Sequence, residues 1–455
     1  MEGLADIFDP YWKSSDKISM MTYTSIIVSA GTFSLSRAVA KCGFIPGFFA
    51  IVGFSCLQTF LAFRVVEMPQ FLKQNVENTG GIAKLLMSRN CAVAYALLSI
   101  VAWWSMCSTE FDNIMDFIDV LMNRDGSSVF YLTTVRWVSA GLIVPFVVGT
   151  GVLGRSRGCS GQDLQKVSVY SCYAMFAVGA IELICAISHG LAEPDSHYIW
   201  FGKAKQIKSG ILDMIPAFYG IAILPHLVAD MLHPQNAKKI IAKASVWICI
   251  FYVSVGIGCY FGWGNTVKRM RPLKRMFLLG SQYQNAAYVI SILVVVKTVL
   301  TFPIMFVPLC REVEAMLDVQ NSPSLALRLP WALRQQQNKR RMLRIVLLIM
   351  TMLPSLMTER ARLIMRGFST HVPLILIHFT LPIVLAFVAL LVHQRLSCQQ
   401  GAGGGMAGAR EPYMCGNFYV HLLITFLTAL FMTIFTTFNM GYWILDFISI
   451  QWHRS

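Results

Sequence analysis

Long apolar runs recur along most of the chain, separated by short polar stretches. About eleven can be read, at residues 20–41, 44–68, 92–121, 130–150, 167–188, 211–232, 240–262, 286–309, 342–358, 368–393 and 417–446. Most reach the roughly 20 residues a helix needs to cross a bilayer. The third run is polar in its second half, and the ninth is short. Residues 189–210 and 310–341 form the two longest connections, the latter rich in Gln335, Gln336, Gln337, Lys339, Arg340 and Arg341. A Gly-rich stretch from Gly401 to Gly408 reads as a flexible linker before the last run. The pattern predicts an all-α polytopic membrane protein with about 11 transmembrane helices.

Composition narrows the picture. Hydrophobic residues make up 56% of the 455 and charged residues 13%, against roughly 45–50% and 25% in a soluble domain. Such a chain cannot clothe a water-facing surface. This excludes a soluble enzyme, a nucleic-acid binder and a disordered linker protein. The net charge of +15 resides mostly in the connections. It reads as contact with anionic lipid headgroups and as topology signals. Lys and Arg are biased only weakly to the side of the N-terminus, and Lys268, Arg269, Arg271, Lys274 and Arg275 run against that bias. The 12 cysteines are scattered without a C-x-x-C, so neither a disulfide framework nor a zinc site is expected, and no cofactor is implied. No N-x-[ST] sequon occurs. Met1–Lys17 lacks the basic region of a cleaved signal, so the first run reads as a retained anchor. An integral, multi-pass location follows. A plasma membrane and an acidic organelle membrane are both open.

Two runs are interrupted. The first contains Ser29-Ala30-Gly31-Thr32-Phe33-Ser34, and the sixth contains Pro216-Ala217-Phe218-Tyr219-Gly220-Ile221 with Pro225 beyond. Small or helix-breaking residues at mid-depth free backbone groups that protein, water or a ligand must satisfy. The two glycines are 189 residues apart (220 minus 31). They fall in corresponding places if the first ten runs form two repeats of five. Matched broken spans point to a transport site. On this division residues 1–19 are a cytosolic tail, 20–188 the first five-helix repeat and 189–210 an extracellular or lumenal loop. Residues 211–393 are the second repeat, 394–416 a flexible linker and 417–446 the eleventh helix.

These residues carry a resemblance. Ser29 to Ala38, followed by Gly43 and Gly47, is similar to the first span of the amino acid/auxin permease family. Phe218-x-Gly220 with Pro225, Asp230-Met231 and Pro234 resembles its sixth span. Tyr252 to Gly262 resembles the seventh, Thr301-x-Pro303 with Pro308 the eighth, and Leu353-Pro354 with Phe379 to Pro382 the ninth and tenth. The order of these motifs carries the likeness. The resemblance implies a leucine-transporter-like 5+5 inverted repeat with broken helices 1 and 6. It implies secondary transport of amino acids, coupled to protons or sodium or running as facilitation. Three positions depart from the pattern. Ser36 stands where a proline is usual, Arg37 follows inside the apolar run, and Val299 replaces a hydroxyl found in some sodium-coupled members.

An amino-acid zwitterion needs N–H groups for its carboxylate and carbonyls for its ammonium, and broken helices expose both. The candidate binding floor is therefore Ala30, Gly31, Thr32 and Phe33 with Phe218, Tyr219, Gly220 and Ile221. For a coupling ion or proton the candidates are Lys297, Glu110, Glu182, Thr298 and Thr301. Lys297 lies in an otherwise uncharged run, and a lone ammonium there must face a cavity or a partner. Glu110 could pair with Arg37, Arg136 or Lys297. Asp112, Asp116 and Asp119 share one helix face and read as a vestibule lining or a solvated end. Arg64 and Glu67 read as an interfacial pair, and His226 as a group titrating near neutrality. Expected partners are a small-molecule amino acid, a proton or sodium, and the lipid bilayer, with no nucleic acid.

Two other functions compete with transport. A nutrient sensor on the same fold would bind through the same groups. A membrane-bound O-acyltransferase would use His378, alone in its apolar run, as a general base. No partner residue in the sequence supports that second reading, and an enzyme is not expected.

Overall fold

The computed structural model describes residues 14–28, 31–72, 79–122, 129–149, 161–192, 198–268, 272–317, 330–356, 375–401, 420 and 422–437. Within them the secondary structure is helical, apart from one isolated bridge between Ser14 and Met231. The first run folds as two short helices, α1 (Asp16–Ile27) and α2 (Thr32–Cys42). After them come α3 (Phe44–Leu72), α4 (Thr79–Leu86), α5 (Arg89–Met122), α6 (Val129–Gly149) and α7 (Gly161–Ala192). The sixth run begins as α8 (Ala204–Met214) and ends as α9 (Leu224–Ala229). The chain continues with α10 (Ala237–Trp263), α11 (Pro272–Leu278), α12 (Ser281–Met316), α13 (Pro330–Leu356), α14 (Leu381–Gly401) and α15 (Leu422–Thr437). Among the described residues, six helical stretches are long and apolar enough to cross a membrane, and three more are apolar but shorter.

One reading of the sequence needs correcting. The connection placed at 310–341 is helical at both ends, because α12 runs to Met316 and α13 starts at Pro330. Its Gln, Lys and Arg residues are good helix formers, and low hydropathy does not argue against a helix that continues past the bilayer. The third run is helical as expected, polar half included, and α5 is continuous over 34 residues.

The breaks have local causes. Between α8 and α9 lie two short 3₁₀ turns, Ile215–Phe218 and Ile221–Ile223, joined through an extended Tyr219 and Gly220 at φ 150°. Pro216 and Pro225 sit in the opening positions of their turns, where a missing N–H costs nothing. Gly220 adopts a backbone shape that a side chain resists. In the first run the helix stops at Val28, whose ψ of 75° is not helical, and resumes at Thr32. Gly43, at φ 88°, ends α2 and turns the chain into α3.

In a bilayer, helices associate by close packing rather than by burial from water. The α7–α10 seam follows that rule: a Cβ on Gly262 would lie 2.0 Å from the Ala186 carbonyl oxygen, so only glycine permits the approach. α12 packs against α5 and α7, while α10 packs against α2, α3 and α7. The halves of the first run lie against the halves of the sixth, α1 against α9 and α2 against α8.

Candidate functional site

The two breaks meet. A Cβ on Gly31 would stand 2.9 Å from the Ala217 Cα, and one on Gly220 would stand 2.6 Å from Ile27 Cγ1. Each glycine thus admits the backbone or side chain of the opposite break. Tyr252, fully buried on α10, joins them: its hydroxyl lies 2.7 Å from the Ile27 carbonyl oxygen and 2.6 Å from that of Ala217. Those carbonyls face inward where the helices end, and a shared hydroxyl donor is what such groups require.

The two runs are antiparallel. At one end Ser14 N–H donates to the Asp230 carbonyl (2.8 Å), Leu232 N–H donates to the Ser14 carbonyl (2.9 Å), and Asn236 reaches Asp16 at 2.8 Å. At the other end Lys41 Nζ lies 2.6 Å from Asp213 Oδ2. The start of the first run therefore lies beside the end of the sixth, with the breaks at matching depth.

The proposed floor residues divide. Gly31 and Thr32 lie at the break, with Thr32 buried. Phe218 is enclosed by aromatic neighbours, stacked on Phe54 (5.5 Å) and edge-on to Tyr252 (5.2 Å). Ile221 faces an apolar cavity with Val65, Met68, Ile82 and Tyr95. Tyr219 stacks on His378 with ring centroids 5.2 Å apart. Ser29, Ala30 and the side chains of Phe33, Asp116, Asp119 and Arg136 lie outside the described residues.

His378, alone in its apolar run, contacts the break of the sixth run. It sits in a π-turn, Leu376–Thr380, just before α14. Pro382 has no N–H to give the carbonyl four residues back, and the wider π-turn is the local alternative. His378 is fully buried. Gly220 N–H donates to its Nδ1 at 3.2 Å and Ala222 N–H at 3.4 Å, while Nε2 lies 3.2 Å from Met106 Sδ. Trp103 stands edge-on to both His378 (6.4 Å) and His226 (6.3 Å).

The ionisable candidates form separate groups. A hydroxyl chain links α1, α7 and α12: Ser25 donates to Ser171 (2.8 Å), and Ser171 meets Thr301 (2.5 Å). Thr301 also donates to the carbonyl of Lys297 at 2.9 Å. Lys297 is fully buried, and its Nζ has no hydrogen-bond partner among the described residues. Glu110 on α5 and Cys172 on α7 lie within electrostatic reach of it. Thr298 donates to the Val294 carbonyl (2.7 Å), a bond within its own helix. Glu182 is buried on α7 with both carboxylate oxygens unpartnered among the described residues. It lies within electrostatic reach of Cys185 and Cys259. His226 Nε2 is 3.6 Å from Glu312 Oε1. The interfacial pair forms, with Arg64 Nη1 2.8 Å from Glu67 Oε2, and Lys238 joins it at 2.8 Å.

Tyr252, Ser25 and Ser171 were not singled out in the sequence. Each is a polar residue in an apolar run, a pattern too frequent to mark a site unaided.

A search of curated proteins by sequence gives no match. Among solved structures, two variants of the Eremococcus coleocola manganese transporter superpose with TM-scores of 0.52 and 0.54 at 9% identity, covering 94% of this chain and 93% of theirs. That likeness shows a shared fold. The model of the family described as transmembrane amino acid transporter protein matches residues 13–393. With most of its length inside that match, this chain belongs to the transmembrane amino acid transporter family and is an integral, multi-pass membrane protein.

Proposed function

We propose that the protein is a secondary transporter that moves amino acids across its membrane by alternating access. It would do so on a leucine-transporter-like pair of inverted five-helix repeats. The observation that carries this reading is the meeting of two antiparallel broken helices at one depth, in a member of an amino acid transporter family. Such breaks present N–H groups to a carboxylate and carbonyls to an ammonium. The floor is the break backbone at Ala30 to Phe33 and Phe218 to Ile221, with Tyr219 as the aromatic wall. Phe218 supports the wall from behind, through Phe54 and Tyr252.

Coupling, in this reading, runs through the buried charges. Lys297 is one turn from Thr301, which the Ser171 hydroxyl ties toward Ser25 on the first span. Its ammonium lies within electrostatic reach of the Glu110 carboxylate, and in this reading a proton or cation arriving there changes the charge state of the two. Glu182 is the second proton candidate, since a carboxylate without partners is costly in hydrocarbon unless it is protonated. The acyltransferase reading gains no support from His378, because both ring nitrogens are engaged by protein groups.

Binding to the purified protein tests the site. Gly31→Ala and Gly220→Ala should each weaken amino-acid binding at least tenfold. Wild-type binding by both folded variants would remove the breaks from the site.

A further inference from the structure

The geometry points to His378 as a positioning residue: an imidazole on the tenth span that holds the break of the sixth span in its substrate-binding shape. This rests on the proposed transport site, and it concerns how that site keeps its form rather than what it binds.

Gly220 at φ 150° turns its N–H, and that of Ala222, away from any helical partner. Both residues are buried, and an orphaned buried N–H is costly. Hydrocarbon offers no acceptor and the break is not exposed, so a protein atom must serve. His378 Nδ1 does so for both groups, at 3.2 and 3.4 Å. These are long bonds, and the two donors share one lone pair.

An imidazole nitrogen accepts only when it carries no proton. The ring is therefore the neutral tautomer protonated at Nε2, and that N–H faces the weak acceptor Met106 Sδ. The ring plane is held by Tyr219 stacked at 25° between planes and by Trp103 edge-on at 75°. Met106 and Trp103 belong to α5. One side chain thus ties the third, sixth and tenth spans together at the break.

The π-turn adds a second reason. A regular helix over Leu376–Thr380 would leave the carbonyl of His378 without a donor, because Pro382 lacks its N–H. The chain instead forms a wider turn just before that proline, closed by Leu381 N–H donating to the Leu376 carbonyl, and π-turns concentrate at functional positions. This turn carries the residue that caps the break.

The test compares three substitutions in the full chain reconstituted in liposomes. His378→Asn places an amide oxygen close to where Nδ1 sits. His378→Gln carries its amide one bond further, near the Nε2 position, and His378→Leu has no acceptor. Two readouts are taken: the KM and kcat of amino-acid uptake, and backbone hydrogen exchange over residues 219–224. The Leu and Gln variants are expected to raise KM by roughly tenfold or more with a smaller change in kcat, and to speed exchange. The Asn variant is expected to restore both to within about threefold of wild type. If Leu fails to fold, the contrast of Gln with Asn carries the comparison. Unchanged KM and exchange in the Gln variant would overturn the assignment. So would an Asn variant as impaired as Gln, since ring shape would then matter rather than the acceptor. If the wild type carries no amino acid, the transport reading falls, and exchange alone decides whether His378 holds the break.

Discussion

Gly220 is held in a conformation that costs any other residue free energy, and its missing Cβ is the space into which Ile27 packs. Both effects act on one substitution. Gly220→Ala should destabilise the folded protein by about 1–3 kcal/mol, read as a lower thermal midpoint in detergent, in addition to its loss of binding. Lys297 poses the opposite case. Its ammonium is fully buried without a hydrogen-bond partner among the described residues, so Lys297→Met removes a charge and keeps most of the packing. That variant should gain stability, by about 2–3 kcal/mol if the mid-bilayer cost of a lysine applies. It should also lose whatever dependence uptake has on a proton or sodium gradient. A variant whose coupling matches wild type would assign Lys297 a structural role. For Glu182→Gln, an isosteric change at an unpartnered carboxyl, stability should hold while proton dependence falls. A large drop in thermal midpoint would instead mean that the carboxylate is ionised and satisfied.

At the scale of elements, one side chain bonds to both breaks. Tyr252→Phe removes the hydroxyl between the Ile27 and Ala217 carbonyls and leaves both buried. The expected cost is about 1–3 kcal/mol, with substrate affinity falling because the two breaks lose their common donor. An unchanged affinity would place the join elsewhere. Much of this architecture was legible in the sequence. Gly31 and Gly220 marked the breaks because they stand among small or helix-breaking residues at corresponding places in the first and sixth runs. Arg64 and Glu67 marked a pair by their spacing. Helix ends were less legible, since Gln335 to Arg341 are polar and yet helical. His378 was visible but assigned by analogy to chemistry, because nothing in a single apolar run says that it will meet a backbone 158 residues away. Tyr252, Ser25 and Ser171 were illegible for the same reason: their partners come from other spans. A hydroxyl in a membrane helix has its own carbonyl four residues back as a default acceptor, as Thr298 demonstrates.

At the scale of the whole molecule, contacts tie the first and sixth spans at both ends. One end carries the Ser14–Met231 bridge, where Asp230 also meets Arg311 of α12 at 3.4 Å; the other carries Lys41 with Asp213. Alternating access requires these ties to release in turn. Asp230→Asn should favour opening at its own end and Asp213→Asn at the opposite end. Labelling of cysteines introduced at each end should therefore shift in opposite senses for the two variants. A shift in the same sense would contradict a rocking mechanism.

The central claim is that this molecule carries amino acids across a membrane. Its most direct test is uptake of radiolabelled amino acids into liposomes holding the purified protein, with pH and sodium set independently inside and outside. The account predicts saturable uptake of at least one amino acid, answering to one of the two gradients and losing that answer in Lys297→Met. No uptake of any amino acid by folded protein in intact vesicles would contradict it, and would leave a binding protein that senses rather than transports.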